Sequence, residues 1–273
     1  MIDIPRISIV SPCYNQGEYV NEMLDSVFSS TFDSFEIIIV DDGSDRCTRK
    51  KLDSIYHKKV KIIHIPNKGP SFARNTGITE AKGEIILNLD IDDKITSTFL
   101  EKAYAVFNTH SNIGIVTAEV EFFGARSGKF HLNSYSLEEM LKSNLIHSTA
   151  CFKKSDWKKV GGYSNDFPYG LEDYDFWLSI LELKREVFRI PEPLIYYRKY
   201  KSKRQCRSGR LKESRKQNIL SSLALFRRHE QLYAKIPYEY QRMSQLKKKW
   251  ENENIFVREL KEIFHYFRGY FKT

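Results

Sequence analysis

No run in this sequence approaches the ~18 apolar residues that would span a bilayer. Its start also lacks a basic region followed by a long apolar run, because Ile7-Ser8-Ile9-Val10 is cut short by Pro12, so no signal peptide is expected. Cysteine is sparse. Cys13, Cys47, Cys151 and Cys206 show no Cys-x-x-Cys spacing, which argues against a zinc site or a small disulfide scaffold and predicts reduced thiols in a cytoplasmic protein. The first turn reads Pro12-Cys13-Tyr14-Asn15-Gln16-Gly17 and has no Gly-x-Gly-x-x-Gly, which disfavours a nicotinamide oxidoreductase. The same lack of a glycine-rich loop, which would admit a triphosphate, disfavours a sugar-1-phosphate nucleotidyltransferase. Aspartate is missing from the last 73 residues, and that absence divides the chain.

Residues 201–273 hold 19 Lys and Arg against 7 Glu, a balance of +12, which leaves residues 1–200 at −3 within the total of +9. A near-neutral body with a basic extension points to a tail that meets an anionic surface. A nucleic-acid binder would use such a tail, but a body with clustered acids repels phosphates unless a cation is bound, so no nucleic-acid partner is expected. At 41% hydrophobic and 14% aromatic, the 273 residues can bury a proper core.

The centre of the sequence is Glu84-Ile85-Ile86-Leu87-Asn88-Leu89-Asp90-Ile91-Asp92-Asp93. An apolar run of strand length ending in three carboxylates should deliver them to the strand's C-terminal edge, because burying them unpaired costs several kcal/mol. In an open α/β sheet ligands bind at that edge, and a hard divalent cation takes Asp oxygens together with substrate phosphates. A solvated turn that caps the next helix would need one acid rather than three.

Three further strands flank this one: Arg6–Ser11, stopped by Pro12; Phe35–Val40, ending in Asp41-Asp42-Gly43-Ser44; and Val60–Ile65. Helices are expected from Glu18, with Val20, Leu24, Val27 and Phe28 on one face, from Ser71, and over 97–108; a fifth strand covers Ile113–Ala118. The βα alternation predicts a parallel sheet covered by helices on both faces. Asp41 reads as part of an Asp-Gly turn, whereas Asp42 is placed to accept hydrogen bonds from a base or ribose. Arg74 could pair with Asp90 or Asp92, or hold a diphosphate bidentately. Beyond an irregular hairpin over 119–132, a short strand Thr149–Phe152 and a Gly161-Gly162 turn lead to a helix that buries Tyr174, Trp177, Leu178 and Leu181. At its start Glu172 and Asp173 either cap the helix or supply a general base toward a hydroxyl.

Five motifs, Ser11-Pro12-Cys13-Tyr14-Asn15, Val40-Asp41-Asp42-Gly43-Ser44, the run Asn67 to Gly77, Leu89-Asp90-Ile91-Asp92-Asp93 and Gly170-Leu171-Glu172-Asp173, stand in order along residues 6–200. In that order they resemble the inverting family 2 glycosyltransferases of the GT-A fold. The resemblance implies a Rossmann-like, mostly parallel α/β sheet as the catalytic domain over 1–200, with a nucleotide-binding half (1–118) and an acceptor-side half (119–200). It implies a hexosyltransferase that uses a nucleotide-sugar donor, commonly UDP-linked, and a glycan or lipid-linked acceptor, as in surface polysaccharide biosynthesis. Carried over by position, Pro12, Tyr14, Asn15, Asp42, Arg74 and Asp90 would lie at the nucleotide. Asp90 and Asp92, extended by Asp93, would hold Mn2+ or Mg2+, and Asp173 would be the catalytic base; which of the three clustered acids touch metal stays open.

Residues 201–273 map onto none of these motifs. Phe256, Leu260, Ile263, Phe264, Phe267 and Phe271 recur at helical spacing among Arg and Lys, which predicts a basic amphipathic helix. Such a helix packs on the body or a second subunit, making a homodimer, or docks on an anionic bilayer at the inner face of the membrane.

Overall fold

The structure, a computed structural model, describes residues 4–167, 170–201 and 215–252. The chain divides into two compact units, Met1–Glu213 and Ser214–Thr273.

The first unit opens with β1 (Ile7–Cys13), a single 3-10 turn at Gly17–Tyr19, α1 (Val20–Phe28), β2 (Phe35–Asp42), α2 (Arg46–Asp53), β3 (Val60–Ile65), α3 (Pro70–Glu80) and β4 (Ile85–Asn88). It continues through β5 (Lys94–Ile95), α4 (Phe99–Thr109), β6 (Ile113–Gly124), β7 (Gly128–Phe130) and α5 (Leu137–Lys142). It closes with β8 (Cys151–Lys153), α6 (Lys154–Val160), α7 (Glu172–Glu182) and β9 (Glu186–Lys199). One sheet runs in the order β3-β2-β1-β4-β8-β6-β9-β5, with β7 added to β6, and helices flank it. β1, β2 and β4 are buried along nearly their whole length, as unbroken apolar runs must be when helices cover both faces. α3 comes close because it is lined with small residues. A Cβ on Gly77 would sit 2.5 Å from Val10 Cγ1.

Four details differ from the sequence reading. β1 continues through Pro12, in register with Val40, because β4 pairs with β1 only as far as Val10 and the missing proline N–H interrupts no ladder on that side. Phe28 does not join the buried face of α1, where Met23 takes that role; its ring lies 4.4 Å from the His57 ring instead. The fifth strand does not neighbour the fourth. β8 inserts antiparallel between β4 and β6, so the sheet is parallel over β3-β2-β1-β4 and mixed beyond it. α7 is buried all round rather than on one stripe, packing Phe176 and Trp177 edge-on against Phe152 of β8.

In the second unit α8 (Arg215–Arg228), α9 (Glu230–Tyr233) and helical residues 237–252 follow one another, and the Phe226 ring meets Tyr233 and Tyr240. The amphipathic stretch from Phe256 to Phe271 lies outside the described residues. Among the described residues no helix is long and apolar enough to cross a membrane.

Candidate active site

The C-terminal ends of β1, β2 and β4 meet at one edge, and their loops are cross-tied. Asn15 adopts a left-handed φ of 56°, which Asn tolerates better than most residues. Its backbone N–H donates to Ser44 Oγ at 3.0 Å and its Oδ1 accepts from the Asp45 N–H at 2.6 Å. Asp41 Oδ1 takes the Ser44 N–H and its Oδ2 takes His64 Nδ1 at 2.8 Å, as expected of a turn residue. Burial works to raise its carboxyl, but these partners outweigh burial and hold it below the ordinary range. Asp42 faces the other way: its two oxygens accept the N–H groups of Lys68 (2.8 Å) and Gly69 (2.9 Å). Burial raises this carboxyl. Asp42 therefore holds the loop between β3 and α3, a role not foreseen for it. Pro12 and Tyr14 stand half-buried at the same edge.

The three acids after β4 separate by environment. Asp90 Oδ1 accepts from Arg74 Nη2 at 3.0 Å and its Oδ2 from Ser148 Oγ at 3.2 Å; burial opposes ionisation, but the guanidinium holds the carboxyl low. Asp92 Oδ2 accepts from Gln16 Nε2 at 3.0 Å and from the Tyr200 hydroxyl, both neutral donors. Burial and the neighbouring Asp90 charge push the Asp92 carboxyl up. Asp93 is turned inward at 1% exposure, with Oδ1 accepting the Arg198 N–H and Oδ2 buried without a partner. Burial and the two neighbouring acids raise its carboxyl well above the ordinary range. Asp93 thus does not join Asp90 and Asp92 on the rim: its carboxyl pins the end of β9.

Arg74 ties this rim to the start of α7. It is buried on α3, with Nη2 on Asp90 and Nη1 on Glu172 Oε1 at 3.0 Å, and its guanidinium carbon lies 5.6 Å from the Tyr163 ring centre. The pairing read from the sequence is present, and its second partner is an acid from the other half of the unit. Glu172 is spent on this pair, and Asp175 is fully buried within α7. Asp173 is the half-buried acid of the first turn. Its Oδ1 takes the Tyr174 N–H at 2.8 Å and its Oδ2 takes Asn144 Nδ2 at 3.2 Å, while the N-cap position is held by Leu171 with no side-chain cap bond. Leu171, just before the helix, has φ 74°, a left-handed conformation costing about 1–3 kcal/mol that concentrates at functional sites.

Several contributors were invisible in the sequence. Gln16 and Tyr200 meet on Asp92 from 184 residues apart, and no motif announces either. His147 is buried beside Asp90, its imidazole pushed down to about 4 by burial against the pull of that carboxylate. Its Nδ1 faces the Thr149 N–H at 3.1 Å, so the neutral ring carries its proton on Nε2.

The arrangement can support a divalent cation only in part. Among the described residues no three His, Cys, Asp or Glu side chains converge to hold one. Two rim carboxylates remain, and among the described residues Asp92 is the one whose side chain accepts hydrogen bonds from neutral donors alone. That is the donor set of a cation shared with substrate phosphates, since Mg2+-type sites use one or two carboxylates plus the substrate.

Compared with known proteins, residues 8–162 match Glycosyl transferase family 2, and residues 129–203 match the family described as the N-terminal domain of galactosyltransferase. The Escherichia coli O-antigen biosynthesis glycosyltransferase WbnJ is 30% identical over 188 residues, covering 65% of this chain and 72% of that protein. Two solved structures share the fold. Staphylococcus aureus TarS 1–349 in complex with UDP-GlcNAc superposes with a TM-score of 0.67 at 20% identity, covering 88% of this chain and 70% of that 1–349 chain. The Pyrobaculum calidifontis mannosyltransferase PcManGT in complex with GDP-Man and Mn2+ gives 0.60 at 16% identity, covering 89% and 74%.

Proposed function

The chain belongs to glycosyl transferase family 2 and is a glycosyltransferase; from that premise we propose that it moves a hexose from a UDP-linked donor to a hydroxyl of a glycan or lipid-linked acceptor, with a divalent cation and with inversion. The observation that carries this reading is the Arg74 bridge, which brings the donor-side acid Asp90 and the α7 acids into one site.

In this reading the loops after β1 and β2 receive the nucleotide, with Pro12, Tyr14 and Asn15 along one wall and Asp42 holding the opposite loop. Asp90 and Asp92 would hold Mn2+ or Mg2+. When bound, that cation neutralises the charge that develops on the departing diphosphate. Arg74 keeps Asp90 ionised and fixes its direction. Asp173 accepts the proton of the attacking hydroxyl, with Asn144 orienting its Oδ2. One base suffices because a diphosphate leaves without needing a proton, so a single displacement inverts the anomeric carbon. TarS bound to UDP-GlcNAc supports the UDP donor, and the O-antigen relative supports an acceptor of the surface-polysaccharide kind. Residues 1–118 then form the donor half and 119–200 the acceptor half. The +12 extension over 201–273 is assigned to docking on the body, a second copy or an anionic bilayer.

Asp173→Asn tests the assignment. UDP binding by calorimetry should be unchanged while transfer falls by about 10²-fold or more. Wild-type turnover in that variant would leave Asp173 with only a structural role in the first turn of α7.

A further inference from the structure

We propose that the sheet face beside this site is an anion-binding acceptor subsite, in which Arg126 and Lys199 take a carboxylate or phosphate carried by the glycan. The inference rests on the glycosyltransferase reading and gives its acceptor a chemical class.

β6 and β9 pair with Phe122 opposite Tyr197 and Gly124 opposite Lys199, so by the two-residue period of a strand Phe122, Tyr197 and Lys199 share one face. Phe130 of β7 closes on that face, its ring centre 5.2 Å from Phe122 and 6.1 Å from Tyr197. Onto these rings are laid two cations. Lys199 Nζ lies 4.1 Å from the Tyr197 centroid and 4.6 Å from that of Phe122, and the Arg126 guanidinium carbon lies 5.0 Å from Phe122. The rings hold two long side chains that would otherwise wander, so less freedom is lost when an anion arrives.

This face joins the catalytic edge through one loop. Asn144 reaches Asp173, Ser148 reaches Asp90 at 3.2 Å, and between them the His147 ring packs 5.0 Å from Tyr197 and 6.2 Å from Phe130. An acceptor with its hydroxyl at Asp173 therefore lays its neighbouring units over this loop toward Lys199 and Arg126. The rim itself carries Asp90, Asp92, Glu172 and Asp173, and would repel an anionic chain. Cations placed one step outward offset that repulsion for an anionic acceptor and serve no purpose for a neutral one.

The test titrates the full chain, with UDP and Mn2+ present, against oligo(glycerol phosphate), a glucuronate-terminated disaccharide, and neutral lactose. Wild type should bind at least one anionic probe about tenfold more tightly than lactose, with the two arms separating phosphate from carboxylate. Arg126→Met and Lys199→Met should each weaken that probe by roughly fivefold, the scale of one partly exposed ion pair. The double variant should lose the preference, and Arg126→Lys should keep most of it. UDP affinity and melting temperature, measured alongside, should not move. Equal binding of charged and neutral probes by wild type, or a preference that survives in the double variant, overturns the inference. Absence of UDP binding would instead overturn the donor reading, and the anion titration would still decide the subsite by itself.

Discussion

Replacing Arg74 by Met should be among the most damaging single changes in the chain. The substitution leaves Glu172, 5% exposed, and Asp90 facing a buried hydrocarbon where each had a guanidinium nitrogen at 3.0 Å. Removing one partner of a buried pair costs about 3–5 kcal/mol, because the survivor stays behind as an uncompensated charge. At about 2–4 °C per kcal/mol for a chain of this size, the melting temperature should fall by roughly 6–20 °C at pH 7.5. The sign of the pH dependence follows from Asp90. In wild type its carboxyl lies below the ordinary 3.8, so the stability it contributes is present above that value and is lost only as pH falls through the lower folded value. Without Arg74, burial raises the same carboxyl. The variant is then relieved as it takes up a proton, and the gap to wild type should narrow from pH 7.5 toward pH 4. Adding Glu172→Gln should recover part of the loss, and Arg74→Lys should rescue only in part, because one ammonium cannot repeat a two-pronged contact. Differential scanning fluorimetry across pH reads all four proteins. An Arg74→Met chain as stable as wild type, or a gap that stays constant from pH 7.5 to 4, would refute the bridge.

Asp92→Asn should weaken UDP binding in the presence of Mn2+ by at least about tenfold while leaving metal-free binding unchanged, read by calorimetry with and without the ion. Gly77→Ala should destabilise by about 1–3 kcal/mol in urea unfolding, since the new methyl would stand 2.5 Å from Val10 Cγ1 and force α3 off the sheet. In a Cys206→Ser background, one thiol should react quickly with a disulfide reagent at pH 8: Cys47 is exposed, while burial raises Cys13 to about 12 and lifts Cys151 further.

Much of residues 1–118 was legible because the signals there are local. Val60–Ile65 forms a strand over the expected residues, and the apolar runs ending in Asp41-Asp42 and Asp90 lie at one sheet edge, since strands covered on both faces must spill their polar residues at their ends. What stayed hidden depends on pairings between distant segments. Asp90, Asp92 and Asp93 look alike in a row, and only their partners separate them: a guanidinium, two neutral donors and a backbone N–H. The sequence offered Arg74 a partner at Asp90 but no reason to look 98 residues on to Glu172. The placement of β8 was equally unreadable, because three residues carry too little pattern to choose a neighbour.

That strand also sets a timetable for biosynthesis. The outer edge of Ile85-Ile86-Leu87 stays bare until Cys151–Lys153 has left the ribosome. At about 5–20 residues per second, a wait of some 65 residues lasts roughly 3–13 s. During that interval the nascent chain presents an apolar strand with open amides, the sort of edge that recruits the wrong partner. Chains cut short before residue 150 should therefore emerge as clients of chaperones and collect in aggregates, even though every residue of β1 to β4 has already been made.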